Sequence, residues 1–243
     1  MHRGTATWLL ALLLAGGLSA DEPWKTKPSK DWGEREVNQI LNNSPWARTI
    51  SAPATWLRTG QQGPEVGTKI TILGKRTEND DLQTPPPVHD KLYNQYARFL
   101  LRWESSRTVR VASARKAMLG GQMRPGEPAL EPADMAGEFE LVLFNAPMAP
   151  FSIADEVGLK AETCLLVVGT ERKVYPKEVR IRRRDDGQIM EVHFFFPKTN
   201  VRGEPVFLGK ESAIEFQCYV AGAFLRARFE PRRMRDSQGL DLL

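Results

Sequence analysis

The stretch RIRRRDDGQIMEVHFFF (Arg180–Phe196) places four arginines before an Asp-Gly pair and a run of aromatics after it. Asp186-Gly187 is a strong signal for a two-residue hairpin turn. With the turn there, Ile181 lies opposite Val192 and Val179 opposite Phe194 on one face. On the other face Arg182 lies opposite Glu191, Arg180 opposite His193, and Arg184 opposite Ile189, because side chains alternate with period two along a strand. The pattern predicts an apolar inner face and a charged outer one. A tight turn at Ala221-Gly222 repeats it near the C-terminus. There Ile214, Phe216 and Cys218 face Phe229, Ala227 and Leu225, while Glu215 and Gln217 face Arg228 and Arg226. Two hairpins read independently agree, which is the internal consistency expected of a real fold.

Outward from these hairpins the chain reads as further strands. TCLLVVG and EFELVLF (Glu138–Phe144) are strand-like runs, and GTKITILG (Gly67–Gly74) is another. From about Glu162 onward the order suggests a β meander. LYNQYARFLLRWESS fits a helical or a strand stripe, and a strand over 97–104 is preferred. Ser105 or Ser106 then caps an Ala- and Arg-rich helix over about 107–119, closed by Gly120-Gly121. TENDDLQTPPPV and MRPGEPALEPADMAG are proline-rich loops. The RRMRDSQGLDLL tail is expected to fray or to add one short element. The expected fold class is α+β: a single β-rich domain over 68–243, mostly antiparallel, sandwich-like or a meander, with one or two short helices.

Before this domain, residues 21–67 form an arm carrying Trp24, Trp32, Trp46 and Trp56. One helix is legible in it. Asp31 is the expected cap, Glu34 lies three residues on, and Val37, Ile40 and Leu41 form the apolar stripe. Pro45 ends it by restricting Ser44 to extended geometry. Exposed tryptophans could serve as sugar-stacking platforms, but an arm pinned to the domain by its indoles is the plainer expectation. Asn42-Asn43-Ser44 matches the three-residue glycosylation acceptor pattern, which carries little weight alone.

MHRGTATWLLALLLAGGLSA (1–20) has a basic start, a short apolar core and a small-residue end, the order of a cleavable signal peptide. The apolar run is too short for a permanent span. Cleavage after Ala20 predicts a secreted or periplasmic protein without a transmembrane segment in its mature form. The chain's formal charge of +4 falls to +3 once Arg3 is removed. That charge is unevenly spread: residues 98–124 hold seven bases against one acid, and 125–162 hold eight acids against one base. Such blocks can neutralise one another in the fold, so net basicity alone does not argue for a polyanion partner.

Cys164 and Cys218 are the only cysteines. In an oxidising compartment they are a candidate disulfide, closing a loop of about 54 residues and contributing on the order of 4 kcal/mol. Two separately buried thiols are the alternative. No metal site follows from His89, His193 and two isolated cysteines, and no cofactor is indicated. EPVFLGKES is not a phosphate loop, since Glu211 stands where a hydroxyl is required. Ser113-Ala114-Arg115-Lys116 has the Ser-x-x-Lys spacing of penicillin-binding proteins, but the companion elements are absent and Arg58-Thr59-Gly60 precedes the serine. Glu191 and His193 share a strand face and could act as an acid/base pair, yet the arginines opposite explain them as ion pairs.

At NNSPWA after a short helix, RWESS leading into an Arg/Ala helix, and FLRARFEPRRM near the end, the chain resembles a group of uncharacterised secreted bacterial proteins. The resemblance implies export and a shared β-rich fold, supports the strand at 97–104, and lends no catalytic residue. Arg180, Arg182 and Arg184 point one way and are answered by a single glutamate, so some positive surface is expected. That makes them the candidate binding residues. An anionic envelope polymer, a lipid headgroup or another envelope protein is the expected partner, and export argues against nucleic acid. The expectation is an exported non-enzymatic protein, a structural or binding module of the cell envelope. The competing expectation is an envelope hydrolase acting on wall polymer or protein.

Overall fold

Val179 is buried and Ile181 packs against the core, while Arg180 and Arg182 face outward, as alternation requires. A computed structural model describes residues 22–53, 96–121, 137–144, 155–185, 187, 189–220 and 223–242. The signal-like segment, Trp56, the strand expected at 67–74, the two proline-rich loops and the Ala221-Gly222 turn lie outside the described residues.

The elements in chain order are α1 (Pro23–Thr26), a 3-10 turn (Ser29–Asp31), α2 (Glu34–Asn42), β1 (Ala47–Pro53) and β2 (Tyr96–Trp103). They continue with α3 (Arg107–Leu119), β3 (Glu138–Phe144), α4 (Glu156–Ala161), β4 (Thr163–Val167) and β5 (Lys173–Val174). The last are β6 (Glu178–Arg183), β7 (Ile189–Pro197), β8 (Ile214–Val220), β9 (Ala223–Phe229), β10 (Arg235–Asp236) and β11 (Gly239–Leu240). The strand expected over 97–104 is β2, which runs Tyr96–Trp103 and leaves Glu104 in the turn that follows. Among the described residues no helix is long and apolar enough to cross a membrane.

The strands do not form a meander. They sort into a five-stranded sheet, β1-β2-β3-β7-β6, and a four-stranded sheet, β5-β4-β8-β9, all neighbours antiparallel. The two predicted hairpins therefore belong to different sheets. Their inner faces meet, with Phe194 packed edge-on against Phe216 at 5.2 Å between ring centres and Trp103 against Phe229 at 5.3 Å. A buried Phe or Leu contributes about 1.5–3 kcal/mol through apolar area removed from water, so this shared aromatic layer stabilises the packing of one sheet on the other. Where β1 approaches β9, the Arg48 Nε–H donates to the Arg228 carbonyl at 2.8 Å, tying one sheet edge to the other.

The β8–β9 register is the one predicted, including Glu215 with Arg228 and Gln217 with Arg226. The β6–β7 register holds for four pairs and then slips. A bulge between Arg182 and Arg183 puts Arg183, not Arg184, opposite Ile189. The reason is the turn. The Gly187 N–H donates to the Arg184 carbonyl at 2.9 Å, and Gly187 adopts φ +81°, a conformation open to glycine at no steric cost. Arg184 therefore belongs to the turn and lies beyond the ladder.

The arm is held as expected: Trp24, Trp32 and Trp46 are buried, and Trp24 meets Trp46 edge-on. Its helix cap is corrected. Asp31 ends a 3-10 turn, so α2 starts later, and Glu36 accepts from the Gly33 N–H at 3.0 Å. Ser106 caps α3 by accepting from the Val109 N–H. The C-terminal tail does not fray. β10 and β11 pair, and Asp241 and Leu242 are buried.

Candidate functional site

Alternation fixes which side chains share the outer face of the five-stranded sheet. β3 and β7 pair Glu140 with Phe195, Val142 with His193, and Phe144 with Glu191. β6 adds Glu178, Arg180 and Arg182, and β2 adds Arg102 beside Val142. These residues come from four strands and meet only because β3 inserts between β2 and β7.

His193 is the centre of this face. Its Nδ1 lies 2.6 Å from Glu140 Oε1 and its Nε2 lies 3.1 Å from Glu191 Oε2. Arg182 reaches the same Glu191 oxygen at 3.1 Å. The ring stacks near Phe195, at 13° between planes. Burial alone opposes a charged ring here. The two carboxylates outweigh that effect and push the His193 pKa up to about 9. Glu191 is held below the usual carboxylate range, first by its hydrogen bond to His193. With both ring nitrogens donating to carboxylates, the imidazolium has no lone pair to accept a proton at neutral pH, and it works as a structural cation.

The arginines are spent in the same way. Arg180 pairs with Glu178 and lies 4.7 Å from the Phe195 ring centre, and Arg102 pairs with Glu104 and lies 4.7 Å from that of Phe144. Four cations (Arg102, Arg180, Arg182, His193) thus meet four carboxylates (Glu104, Glu140, Glu178, Glu191). The positive surface expected from three arginines and one glutamate is corrected to a locally neutral layer. The correction comes from Glu178 on the arginines' own strand and from Glu140, which the hairpin alone could not reveal. Glu140 sits 53 residues from its histidine partner.

The sign of the pH effect follows from these shifts. His193 has its folded pKa raised from its ordinary 6.5, so its stabilisation is complete below about pH 6.5 and is lost as pH rises through about 9. The Glu191 contribution runs the other way and is lost on acidification. The expected result is a thermal midpoint that falls between pH 7 and about 9.5, with much of the fall absent in His193→Gln. Calorimetry across that range on both proteins checks it. Parallel curves for the two would show that other groups carry the alkaline transition.

Other sequence candidates land apart from this face. Ser113 Oγ lies 3.5 Å from Glu104 Oε1, and Lys116 is exposed on the next turn of α3, so the serine's polar neighbour is a carboxylate. Cys164 and Cys218 are free thiols. Thr163 pairs with Cys218 and Cys164 with Gln217, so the two cysteines point to opposite faces of one sheet and the candidate disulfide is corrected. Burial pushes the Cys218 thiol up to about 12. Among the described residues no group of three His, Cys, Asp or Glu side chains is placed to hold a metal ion.

One polar cluster has no local sequence signal. Asp241 accepts from the Arg107 and Thr108 backbone N–H groups at 2.8 and 2.9 Å, and Arg107 makes a bidentate pair with Asp236. The indoles of Trp46 and Trp103 donate to the Asp241 and Leu242 carbonyls. Comparison of the chain with protein-family models, with curated proteins and with solved structures finds no match.

Proposed function

We propose that the chain is an exported, non-enzymatic protein, a structural or binding module of the cell envelope. Export rests on the signal-like order of residues 1–20. The observation that carries the non-enzymatic part is His193 clamped between Glu140 and Glu191, which holds the best acid/base candidate as a brace charged at neutral pH. Arginines 180 and 182 belong to that brace as well. Arg184 differs: it is exposed, lies beyond the ladder, and has no ion pair among the described residues. It is the arginine of the original three left to meet an anionic envelope polymer or lipid headgroup.

Retention of the full chain on anionic phospholipid vesicles, and separately on an acidic polysaccharide resin, tests this. Retention should fall several-fold between low and moderate salt, because exposed charges are screened over about 10 Å at 0.1 M. Arg184→Glu should weaken it clearly, and Arg180→Gln much less. Equal retention of wild type and Arg184→Glu on both materials would remove the arginine contact from the proposal.

A further inference from the structure

The loop after β7 and the β10–β11 hairpin meet at one point on the surface. Gly209 adopts φ +72°, and Leu240 lies directly over it, where any Cβ would collide with the leucine Cδ2. Leu208, the preceding residue, is 60% exposed, and Leu240 is 37% exposed. Arg235 lies directly opposite Leu240 in the hairpin, so the two side chains share a face. The Arg232 guanidinium donates to the Lys210 carbonyl at 3.4 Å, which brings it to the same loop. Two exposed leucines are therefore set among Lys210, Arg232 and Arg235, all three exposed.

On the outer face of the five-stranded sheet the cations meet carboxylates. Here the acids next to these residues in the chain are engaged elsewhere. The Glu211 side chain is 7% exposed, and its Oε1 accepts from the Leu208 N–H at 2.7 Å. Asp236, beside Arg235 and so on the opposite side of the strand, holds Arg107. Asp241 is buried at the start of α3. What faces outward is an apolar centre with a cationic surround. An acidic polysaccharide would meet the cations but give the leucines nothing to enter. A second copy of the chain would cover the leucines but crowd like charges around them. An anionic bilayer answers both features, since such contacts seat apolar side chains about 5–10 Å into the headgroup boundary while Lys and Arg meet the phosphates. We propose that this patch docks the protein on an anionic phospholipid membrane surface. The inference rests on the reading of an exported binding module but uses none of the residues invoked there.

The test is sedimentation with vesicles of equimolar phosphatidylglycerol and phosphatidylcholine, and with vesicles of phosphatidylcholine alone. It uses the exported form without residues 1–20, so that their apolar run cannot itself bind lipid. Binding should be at least about tenfold tighter to the anionic vesicles. Arg232→Gln with Arg235→Gln should weaken it about fivefold per cation and make its salt dependence shallower. Leu208→Asn should weaken it about tenfold and leave the salt dependence as it is. Each variant should keep the wild-type urea midpoint, because the substituted side chains are exposed. Equal binding of wild type and both variants to anionic vesicles would overturn the patch and leave the binding-module reading standing. Retention on an acidic polysaccharide resin without vesicle binding would sink the lipid partner alone, and binding to neither material would end both readings. A dimer that Leu208→Asn dissolves, again without vesicle binding, would give the leucines to a second copy and overturn the proposal too.

Discussion

Replacing Trp103 with alanine should lower stability by about 4 kcal/mol, within the roughly 3–5 kcal/mol typical of large aromatic truncations in a core. The side chain has no exposed surface. Its ring meets Phe139, Phe207 and Phe229, so it touches both sheets and the loop that follows β7. Truncation opens a void that the two sheets cannot close without shifting against each other. It also strips the Leu242 carbonyl of one of its two donors, the other being Ser105 Oγ at 3.2 Å. For a chain of this size the thermal midpoint should drop by roughly 10 °C. Trp103→Phe separates the two effects, keeping most of the packing and losing only the N–H bond, so about 1–1.5 kcal/mol is expected there. Urea unfolding of the three proteins measures it. A loss below about 1 kcal/mol for the alanine variant would mean that the sheets do not share a core through this residue.

Asp241→Ala should cost about 3 kcal/mol, the second largest effect, because it removes two charge-assisted bonds from a buried helix start. An α-helix leaves its first four N–H groups without partners inside the helix. In α3 all four are answered: Ser106 by the Trp103 carbonyl, Arg107 and Thr108 by the Asp241 carboxylate, and Val109 by Ser106 Oγ. A carboxylate at that position also complements the helix dipole. Asp241→Asn keeps one acceptor and should lose less than half as much. Hydrogen exchange at the Arg107 and Thr108 amides gives the local readout. Unchanged protection there in the alanine variant would contradict the role assigned to the carboxylate.

The hairpins were legible because alternation is local. Val179, Ile181, Val192 and Phe194 form a pattern over sixteen residues, and only one register buries them all. The cap at Ser106 and the strand ending at Trp103 were legible for the same reason. Partner choice between strands was not. Nothing in TCLLV or EFELVLF says that the first pairs with β8 and the second with β7, since that depends on which apolar faces fit once the chain has collapsed. The cysteine question shows the limit. Each cysteine read correctly as part of a buried strand, but whether they could bridge depended on a one-residue offset between strands 54 positions apart. The start of α2 was misplaced for a smaller reason: Asp31 has the chemistry of a cap, yet Trp32 must be delivered to the core before the helix can begin.

By itself the sequence determined which faces are apolar, where the two C-terminal hairpins lie, and the export-like character of the first twenty residues, because each depends on the order of neighbours along the chain. The tertiary structure decided that the arginine-bearing face is neutral, that His193 is a charged brace, and that the tail is clamped by Trp46, Trp103 and the start of α3. The neutral face combines pairs only two residues apart, Arg180 with Glu178 and Arg102 with Glu104, with the Glu140 contact to His193 from 53 positions away, and the tail clamp joins residues up to 195 positions apart. Electrostatic balance and hydrogen-bond satisfaction are properties of neighbours in space, and a linear pattern fixes only the neighbours within its own strand or turn.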